Sequence, residues 1–451
     1  MGKLKNFLFR HGAATAIVAV TAATTIMTAM LPGVHRPEII GTFVIIIALG
    51  VAGILMDDRP YSLCQVFFLF CVIFMGVMPM GQYITGFVSW RLTPCRTDTY
   101  LTANLLIIVC EAVFMGAAYY RPGRLRLFAG SLRQDNQASK NTTSDAYNYT
   151  WIAATAIVAT AVFVWYSLDK PRSLLMRYDC LTEYCERPPM EFLAMNYIVR
   201  SIPAVALILC LLTRRAPRGA IAVTAVCTVV ALFPTSLPRN QLAALALPLF
   251  MLTVAPLRHN KVLTLFLIVM MGTVFPLLNL AKVQLYSEPY TFTGYDFDSY
   301  QNFALVIDNG LFTNGRQLLG TLLFWVPRAI WPGKPIGSGP ELANSLHSSF
   351  INISMPIFGE GYINFGIAGV IIFTLAAALI FRLLDVKFDI HRVTPGSIIY
   401  LITLGSALFI LRGPLMQGVS SLCALIISAL IVYLPARAIG RYETRKKKDE
   451  S

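Results

Sequence analysis

Positively charged side chains cluster in the stretch GRQLLGTLLFWVPRAIWPGKP, which runs from Gly315 to Pro335. It holds Arg316, Arg328 and Lys334, with prolines and glycines between them. Proline removes backbone freedom before binding, so the cations would be held in fixed positions. Arginine grips phosphate oxygens with a planar fork, and lysine acts as a point charge. The stretch therefore predicts a site for a diphosphate at a membrane surface, with anchoring to anionic lipid headgroups as the alternative.

Further charged residues lie within or beside apolar segments. Arg200 occurs in NYIVRSIPAV, Arg239 in FPTSLPRNQLAA and Arg412 in LFILRGPLMQ, and Glu111 lies in the middle of LLIIVCEAVFMG. Charges at membrane depth are costly, so they usually mark function or a paired structural need. An arginine can also extend its head group to the membrane interface. Because all three arginines are predicted on one side of the membrane, we interpret them as part of a cationic site.

The acidic candidate is Glu360, which lies between glycines in IFGEGYINFGIAG. Its carboxylate is suited to take a proton from a sugar hydroxyl, or to pair with an arginine. His347 is a second candidate base, although a single loop histidine is equally well explained as a solvated side chain. Asp296 and Asp298 resemble half of a metal site that has no third ligand. Since the nine cysteines form no Cys-x-x-Cys motif, the sequence predicts neither a metal nor a cofactor.

The composition predicts the fold that must position these residues. The 451 residues are 56% hydrophobic and 13% charged, whereas soluble proteins carry about 25% charged residues. Apolar blocks recur at about 18–20 residues, the length that crosses a hydrocarbon core of roughly 30 Å. We therefore expect an all-α polytopic membrane protein with about twelve transmembrane helices. The predicted spans are residues 13–30, 39–56, 62–80, 100–119, 151–167, 194–213, 220–233, 241–257, 262–281, 366–384, 396–411 and 418–436.

The distribution of charge predicts the orientation. The net charge is +14, and basic runs occur at residues 121–133, 214–218 and 445–448. Loops rich in lysine and arginine stay in the cytoplasm, which places both termini inside. These runs are suited to attract anionic lipids rather than nucleic acid. The predicted organisation is a single transmembrane domain over 1–451, with a cytoplasmic loop at 121–149, a large periplasmic loop at 282–365 and a basic cytoplasmic tail at 437–451.

The large loop at 282–365 contains an apolar stretch, Leu318–Val326, that is too short to span a membrane. Trp325 and Trp331 flank its end, as expected for rings at headgroup level. We therefore expect the loop to carry short helices, to fold back onto the membrane surface and to cover a cavity in the outer leaflet.

The run VPRAIWPGKP, followed by FGEGYINFGIAG, resembles the O-antigen polymerase family of bacteria, also called oligosaccharide repeat-unit polymerases. PTSLPRNQLAALALP upstream and LRGPLMQ downstream fit the same pattern. The resemblance covers residues Phe233 to Gln417. The N-terminal half agrees with the family in hydropathy and in the number of spans.

The resemblance implies a membrane glycosyltransferase of the C-type helical fold in the bacterial inner membrane. Its substrates would be oligosaccharides linked to undecaprenyl diphosphate, as in the biosynthesis of lipopolysaccharide O-antigen. The growing chain would move to the non-reducing end of a new unit at the periplasmic face, without a nucleotide sugar or a required metal. A separate chain-length regulator is implied as a partner.

The predicted site has one catalytic residue, Glu360, as the base that activates the acceptor hydroxyl. Of the cations, Arg239, Arg328 and Arg412 match arginines of the family's outer-face site, and Lys334 is carried over together with Glu360. The predicted diphosphate ligands are Arg239, Arg328, Arg412, Lys334, Arg316 and Arg200.

Three other functions fit parts of this pattern. An O-antigen ligase shares the fold and the leaving group but transfers finished chains to a lipid core, and the WPGKP run favours the polymerase. A transporter or flippase of lipid-linked sugars also fits many spans and buried arginines, although no internal repeat is visible. A mannosyltransferase with a polyprenyl monophosphate donor is disfavoured. Enzymes of that kind have a pair of acidic residues in the first outer loop, whereas this chain has Glu38 alone there.

Overall fold

The protein is described here by a computed structural model. Helices and connecting turns make up the described residues, and no β-strand occurs among them. The description covers residues 2–92, 94–119, 146–169, 171–175, 189–213, 215–233, 236–271, 297–348, 350–389 and 393–450.

The α-helices are numbered in chain order, and short π or 3-10 segments join several of them. They are α1 (Gly2–Ala29), α2 (Pro37–Met56), α3 (Leu63–Phe70), α4 (Met78–Thr85), α5 (Thr97–Tyr119), α6 (Tyr149–Tyr166), α7 (Pro189–Leu193), α8 (Ile202–Thr213), α9 (Arg218–Ala231), α10 (Arg239–Thr253), α11 (Val262–Val269), α12 (Ser299–Asp308), α13 (Arg316–Leu322), α14 (Ser338–Ser345), α15 (Ile357–Lys387), α16 (Pro395–Arg412) and α17 (Leu415–Asp449).

Nine helices within the described ranges are long and apolar enough to cross a membrane, which confirms the prediction of an all-helical, multi-pass membrane protein. Each corresponds to one predicted span. The nine are Gly12–Ala29, Pro37–Met56, Leu63–Thr85, Thr97–Tyr119, Tyr149–Tyr166, Glu191–Thr213, Ile357–Lys387, Pro395–Arg412 and Leu415–Lys447.

The other three predicted spans differ from these nine. Helices α9 and α10 have 14 and 15 residues, so they are roughly 21–23 Å long, less than a hydrocarbon core of about 30 Å. The span predicted at 262–281 begins as α11, and its second half lies outside the described residues. A total of twelve spans therefore stays a prediction.

The chain divides into two compact units. The first comprises Met1–Ala118, Val254–Lys387 and Ser406–Ser420. Its most enclosed span is Leu63–Thr85, which is 94% buried, and α2 and α15 pack against its first turns. Close packing there depends on glycine, since a Cβ atom at Gly53 would lie 2.5 Å from the ring of Phe68.

A small hydrophobic core organises the described part of the predicted outer loop. Leu305 and Val306 of α12, Leu342 and Ala343 of α14, and Ile363 of α15 are buried together in it. Burial of such side chains is the main force that orders a segment without long helices. This core holds α12, α14 and the first turns of α15 in fixed positions, which matters because the candidate site lies among them.

The short apolar helix of this loop has other bounds than predicted. Helix α13 covers Arg316–Leu322 rather than Leu318–Val326. It follows Gly315, whose φ of +78° suits glycine. It ends at Leu322, and Pro327 disfavours helical backbone at the residue before it.

The span predicted at 366–384 begins earlier, because α15 starts at Ile357 and breaks at Phe365 and Gly366. Gly366 has a φ of +61°, and a Cβ atom at Gly361 would lie 2.6 Å from the carbonyl oxygen of Gly369. Glycine therefore allows the chain to turn tightly here. Glu360 lies on the short segment before this break rather than on a loop.

The second unit comprises Tyr119–Thr253, Phe388–Gly405 and Ser421–Ser451. In it, α6 packs against α8 and α9, and α8 packs against α10. The predicted basic tail at 437–451 continues α17, and the side-chain amide of Asn148 donates to Glu443 over 2.7 Å. Residues 120–145 of the predicted cytoplasmic loop lie outside the described residues.

Candidate functional site

Glu360 lies on the first turn of α15, and only 2% of the residue is exposed. Its Oε1 accepts hydrogen bonds from the hydroxyl of Ser338 and from the backbone N–H of Leu415, the latter over 2.7 Å. Two donors on one oxygen fix the direction of the carboxyl group. The side chain is therefore oriented before any ligand arrives.

The helix that carries Glu360 is also tied to the charged loop. The side-chain amide of Asn364 donates to the carbonyl of Glu360 over 2.9 Å, and its Oδ1 accepts from the N–H of Leu318 over 2.8 Å. Asn364 thus satisfies a first-turn N–H of α13, which has no partner inside its own helix. Asn364 therefore joins the helical segment that carries Glu360 to the start of α13.

Arg412 ends α16, three residues before Leu415. Its Nη2 lies 3.5 Å from Oδ1 of Asp298, and its guanidinium lies 5.6 Å from the ring centroid of Phe74. The Nε is buried and has no hydrogen-bond partner among the described residues, while 24% of the side chain is exposed. Arg412 therefore keeps donors that its own surroundings do not use.

Asp298 is the fixed partner of Arg412. It is 1% exposed and accepts from Trp90 Nε1 over 2.9 Å, Asn302 Nδ2 over 3.1 Å and the N–H of Ser354 over 3.1 Å, and the Ser354 hydroxyl donates to it as well. Asp296 and Asp298 were compared above with half of a metal site, and Asp296 lies outside the described residues. Within those ranges, no three His, Cys, Asp or Glu side chains are grouped to hold a metal ion.

Arg316 and Arg328 donate to backbone carbonyls of their own loop. Arg328 binds the carbonyls of Lys334 over 2.7 Å and Pro335 over 3.1 Å, and Arg316 binds that of Gly333 over 2.9 Å. A guanidinium has five N–H donors, so these bonds use two in Arg328 and one in Arg316. Because both side chains are exposed, their other donors remain accessible to a ligand.

Lys334 binds the turn that follows α13. Its Nζ donates to the carbonyls of Phe324 and, over 2.9 Å, of Val326, both beyond the last helical residue Leu322. These carbonyls have the lysine amino group as a hydrogen-bond donor, and backbone carbonyls outside a helix need such partners when they are shielded from water. Partial burial and the neighbouring Arg328 lower the pKa of Lys334. Lys334 therefore has a structural role in the loop, in addition to its predicted role as a phosphate ligand.

The loop packs against the turn that follows Arg412. A Cβ atom at Gly320 would lie 2.9 Å from both Pro335 and Met416. The charged loop, Glu360 and the Arg412 turn are therefore neighbours in the first unit. This cluster, comprising Arg316, Arg328, Lys334, Glu360, Arg412 and Asp298, is named the Glu360 site below.

Two predicted ligands belong to the second unit. Arg200 is 4% exposed and donates from Nε to the carbonyl of Ala231 over 2.7 Å and from Nη1 to that of Ser236 over 3.4 Å. Its guanidinium also lies 4.6 Å from the ring centroid of Phe163. Arg239 begins α10, and its side chain lies outside the description. Both residues lie in the second unit, whereas the Glu360 site lies in the first.

Comparisons with protein-family models, with curated proteins and with solved structures found no match.

A fixed carboxyl and a partly exposed arginine on adjoining turns can do two things together. The carboxyl can accept a proton from a hydroxyl, and the arginine can stabilise negative charge that develops beside it. The exposed arginines of the loop can extend the same positive field toward a second anionic group. These abilities fit transfer reactions in which an anionic group leaves as a hydroxyl attacks.

Several residues of the site carried no signal in the sequence. Ser338 and Leu415 orient Glu360, and Trp90, Asn302 and Ser354 orient Asp298. Asn302 lies four residues after Asp298, at helical spacing, whereas the other contacts join segments that are far apart along the chain, so neither spacing nor periodicity indicates them. The other candidate base, His347, is exposed and has a backbone φ of +53°.

Proposed function

We propose that this protein is a membrane glycosyltransferase that polymerises oligosaccharide repeat units carried on undecaprenyl diphosphate. The observation that supports this most is the contact between Glu360 and the Arg412 turn, through the N–H of Leu415. It brings a buried carboxyl and an arginine with unused donors into one site. The charged loop from Arg316 to Lys334 adjoins them.

In the proposed reaction, the acceptor hydroxyl attacks the anomeric carbon of the donor sugar. The bond from that carbon to the diphosphate oxygen breaks, and the leaving group carries the electron pair away. Glu360 takes the proton of the hydroxyl. Arg412, with Arg316 and Arg328, stabilises the charge that grows on the diphosphate, a kind of contribution worth on the order of 100–1,000-fold in rate for one donor.

The proposal also includes a fold, an orientation in the membrane and a partner protein. The fold would be that of a C-type glycosyltransferase with about twelve spans and both termini in the cytoplasm. The site would face the periplasm, and a chain-length regulator would be a partner. Large apolar side chains of the charged loop are exposed beside its arginines, which suits contact with membrane lipids: Leu322 is 65%, Trp325 63% and Ile330 76% exposed.

The first test is deletion of the gene in its host, followed by separation of the surface polysaccharide by size on a gel. Collapse of a ladder to a single-repeat band is expected. Loss of attached repeats with long polymer on the lipid carrier would instead indicate a ligase. Single units trapped inside the cell would indicate a flippase, and an unchanged ladder would contradict the proposal.

Complementation then tests the residues. Genes with Arg412→Ala or Glu360→Gln should fail to restore the ladder although the protein reaches the membrane at the normal level. Arg441→Ala serves as a matched control, because Arg441 is an exposed arginine on the distal part of α17. The roles predicted for Arg200 and Arg239 are tested by Arg200→Lys and Arg239→Lys in the same assay.

A further inference from the structure

Glu111 lies inside the membrane-spanning helix α5 and is fully buried in the first unit. Neither carboxyl oxygen has a hydrogen-bond partner of normal geometry among the described residues. The carboxyl is held against Gly50 of α2, where a Cβ atom would lie 3.3 Å from Oε1. The proposed reaction makes no use of this residue.

The surroundings of the carboxyl are apolar. The same Cβ position at Gly50 would lie 2.6 Å from the side chain of Val72. One turn along α5, Phe114 stacks on Phe67 at 3.7 Å between ring centroids and meets Phe68 at 5.3 Å. A charge that leaves water for such surroundings is unstable unless it is paired, and a carboxylate becomes neutral by taking up a proton.

The titratable groups near Glu111 are thiols. Cys71 on the neighbouring span is the group that interacts with its carboxyl, and Cys110 precedes it on α5. The thiol of Cys110 is directed to the carbonyl of Val370 on α15 at 3.9 Å. No salt bridge to Glu111 is formed by any residue in the described ranges.

A second feature points to the same place. The neighbouring span is wound as a π-helix over Cys71–Val77, within the most enclosed span of the unit. Such segments are rare, occur mostly as short insertions in α-helices and are frequent at functional sites. Cys71, the first residue of this segment, is the group that interacts with the carboxyl of Glu111.

We propose that Glu111 is a proton-binding site inside the membrane. The carboxyl carries a proton at neutral pH and exchanges it reversibly with water, and no other bond is made or broken. A proton is the ligand that fits, because a metal ion needs several ligands, and no three His, Cys, Asp or Glu side chains are grouped to hold one within the described ranges. The proposal is independent of the glycosyltransferase reaction.

The test is infrared difference spectroscopy of the purified full-length protein in lipid nanodiscs between neutral and alkaline pH. A protonated carboxyl has a C=O stretch that differs from that of a carboxylate and shifts in D2O. We expect such a band at neutral pH, its reversible loss at alkaline pH, and its absence from Glu111→Gln. Glu38→Gln is the matched control, because Glu38 is an exposed carboxyl on the first turn of α2 and the band should persist without it.

A measurement on the wild-type chain covers the case in which Glu111→Gln does not fold. Carbodiimides react with protonated carboxyls in apolar surroundings, so mass spectrometry should locate the label on Glu111 at neutral pH and find less of it at alkaline pH. Lack of a Glu111-dependent band together with lack of labelling would overturn the proposal. A band that never changes with pH would also overturn it, because the group would then be only a neutral packing element.

Discussion

Two networks of charged side chains in the first unit differ in how closely their charges are paired. In the Asp57–Asp385 network, Arg59 binds Asp57 with Nε at 2.9 Å and Nη2 at 2.7 Å and lies 3.4 Å from Asp385. The hydroxyl of Ser62 is placed between the two carboxylates. In the Asp298–Arg412 network, one contact of 3.5 Å joins the charges, and the Nε of Arg412 has no acceptor in the described part of the chain.

The Asp57–Asp385 network is closed for a structural reason. Asp385 also accepts from the backbone N–H groups of Leu63 over 2.8 Å and Cys64 over 3.2 Å, at the start of α3. It therefore caps the buried end of that helix, where N–H groups have no partner in the helix itself. Lys261 adds a bond to the carbonyl of Asp57 over 3.1 Å. Both carboxylates of this network are therefore bound by groups of the protein itself.

The difference separates a structural use of charge from a candidate functional one. Nearly all buried polar groups in native proteins are paired, and each exception calls for an explanation. At Arg412, the Nε without a partner belongs to a side chain that is 24% exposed, and the turn that follows Arg412 binds the carboxyl of Glu360 through the N–H of Leu415. We take this incomplete pairing as the sign of a site that a ligand completes, and the following predictions test that contrast.

Asp385→Ala should have the largest effect, and it should be on stability. The substitution removes the cap of α3 and leaves the buried N–H groups of Leu63 and Cys64 without an acceptor, which typically costs roughly 1–3 kcal/mol for each group. We expect most of the protein to be lost from the membrane, or a sharply lower melting temperature in detergent by fluorescence. Asp58→Ala is the control, since the side chain of Asp58 is 65% exposed, and a similar loss there would contradict the idea of a closed network.

Arg412→Ala should act on activity instead. Its one ion pair is long, so we expect a near-normal melting temperature together with a loss of polymer of about 100–1,000-fold. Arg412→Lys should restore part of the activity, because lysine keeps the charge but not the planar fork. The measurement is the gel ladder at equal protein level. If Arg412→Ala destabilised the protein as much as Asp385→Ala, the contrast between the two networks would fail.

Much of the fold was predictable because its signal is local. A run of about 20 apolar residues indicates a span by itself, and nine predicted spans are confirmed on that ground. The segment before Gly366 was harder to predict, since Ile357–Gly361 is not distinguishable from loop until the break at Phe365 is seen. Helices α9 and α10 carry the same kind of apolar signal and are nevertheless shorter than a span.

The site was predictable only at the level of residue type. Arg412 and Glu111 were predicted because charged side chains are costly in free energy within a membrane. The glycines on both sides of Glu360 indicated an unusual backbone conformation. Their partners could not be predicted, because Asp298 and Ser338 reach the site from distant parts of the chain. The same applies to the loop cations. The sequence indicates three positive charges, but only the fold shows that Arg328 and Lys334 also bind the carbonyls of their own loop.

Glu360→Gln should reduce activity by less than the upper value expected for Arg412→Ala. The amide keeps the shape and can still accept from Ser338 and Leu415, but it cannot take up a proton. We expect polymer to fall by about 100-fold with unchanged melting temperature. Glu341→Gln is the matched control, because Glu341 pairs with the neutral side chain of Gln317 at 3.3 Å. Equal activity of the two variants would show that Glu360 is structural.

Trp90→Phe should have the smallest effect, and it tests whether Asp298 needs all of its donors to hold Arg412. The ring of Trp90 stacks on Phe350 at 4.0 Å, and phenylalanine can keep that contact while the bond from Nε1 to Asp298 is lost. One hydrogen bond is worth about 0.5–1.5 kcal/mol, so the melting temperature should fall by only a few degrees. Activity should fall less than in Arg412→Ala, because the backbone N–H of Ser354 and the amide of Asn302 still orient the carboxylate. A loss of polymer as large as that of Arg412→Ala would mean that the indole itself contacts the substrate, and the Asp298–Arg412 network would then have to be extended to Trp90.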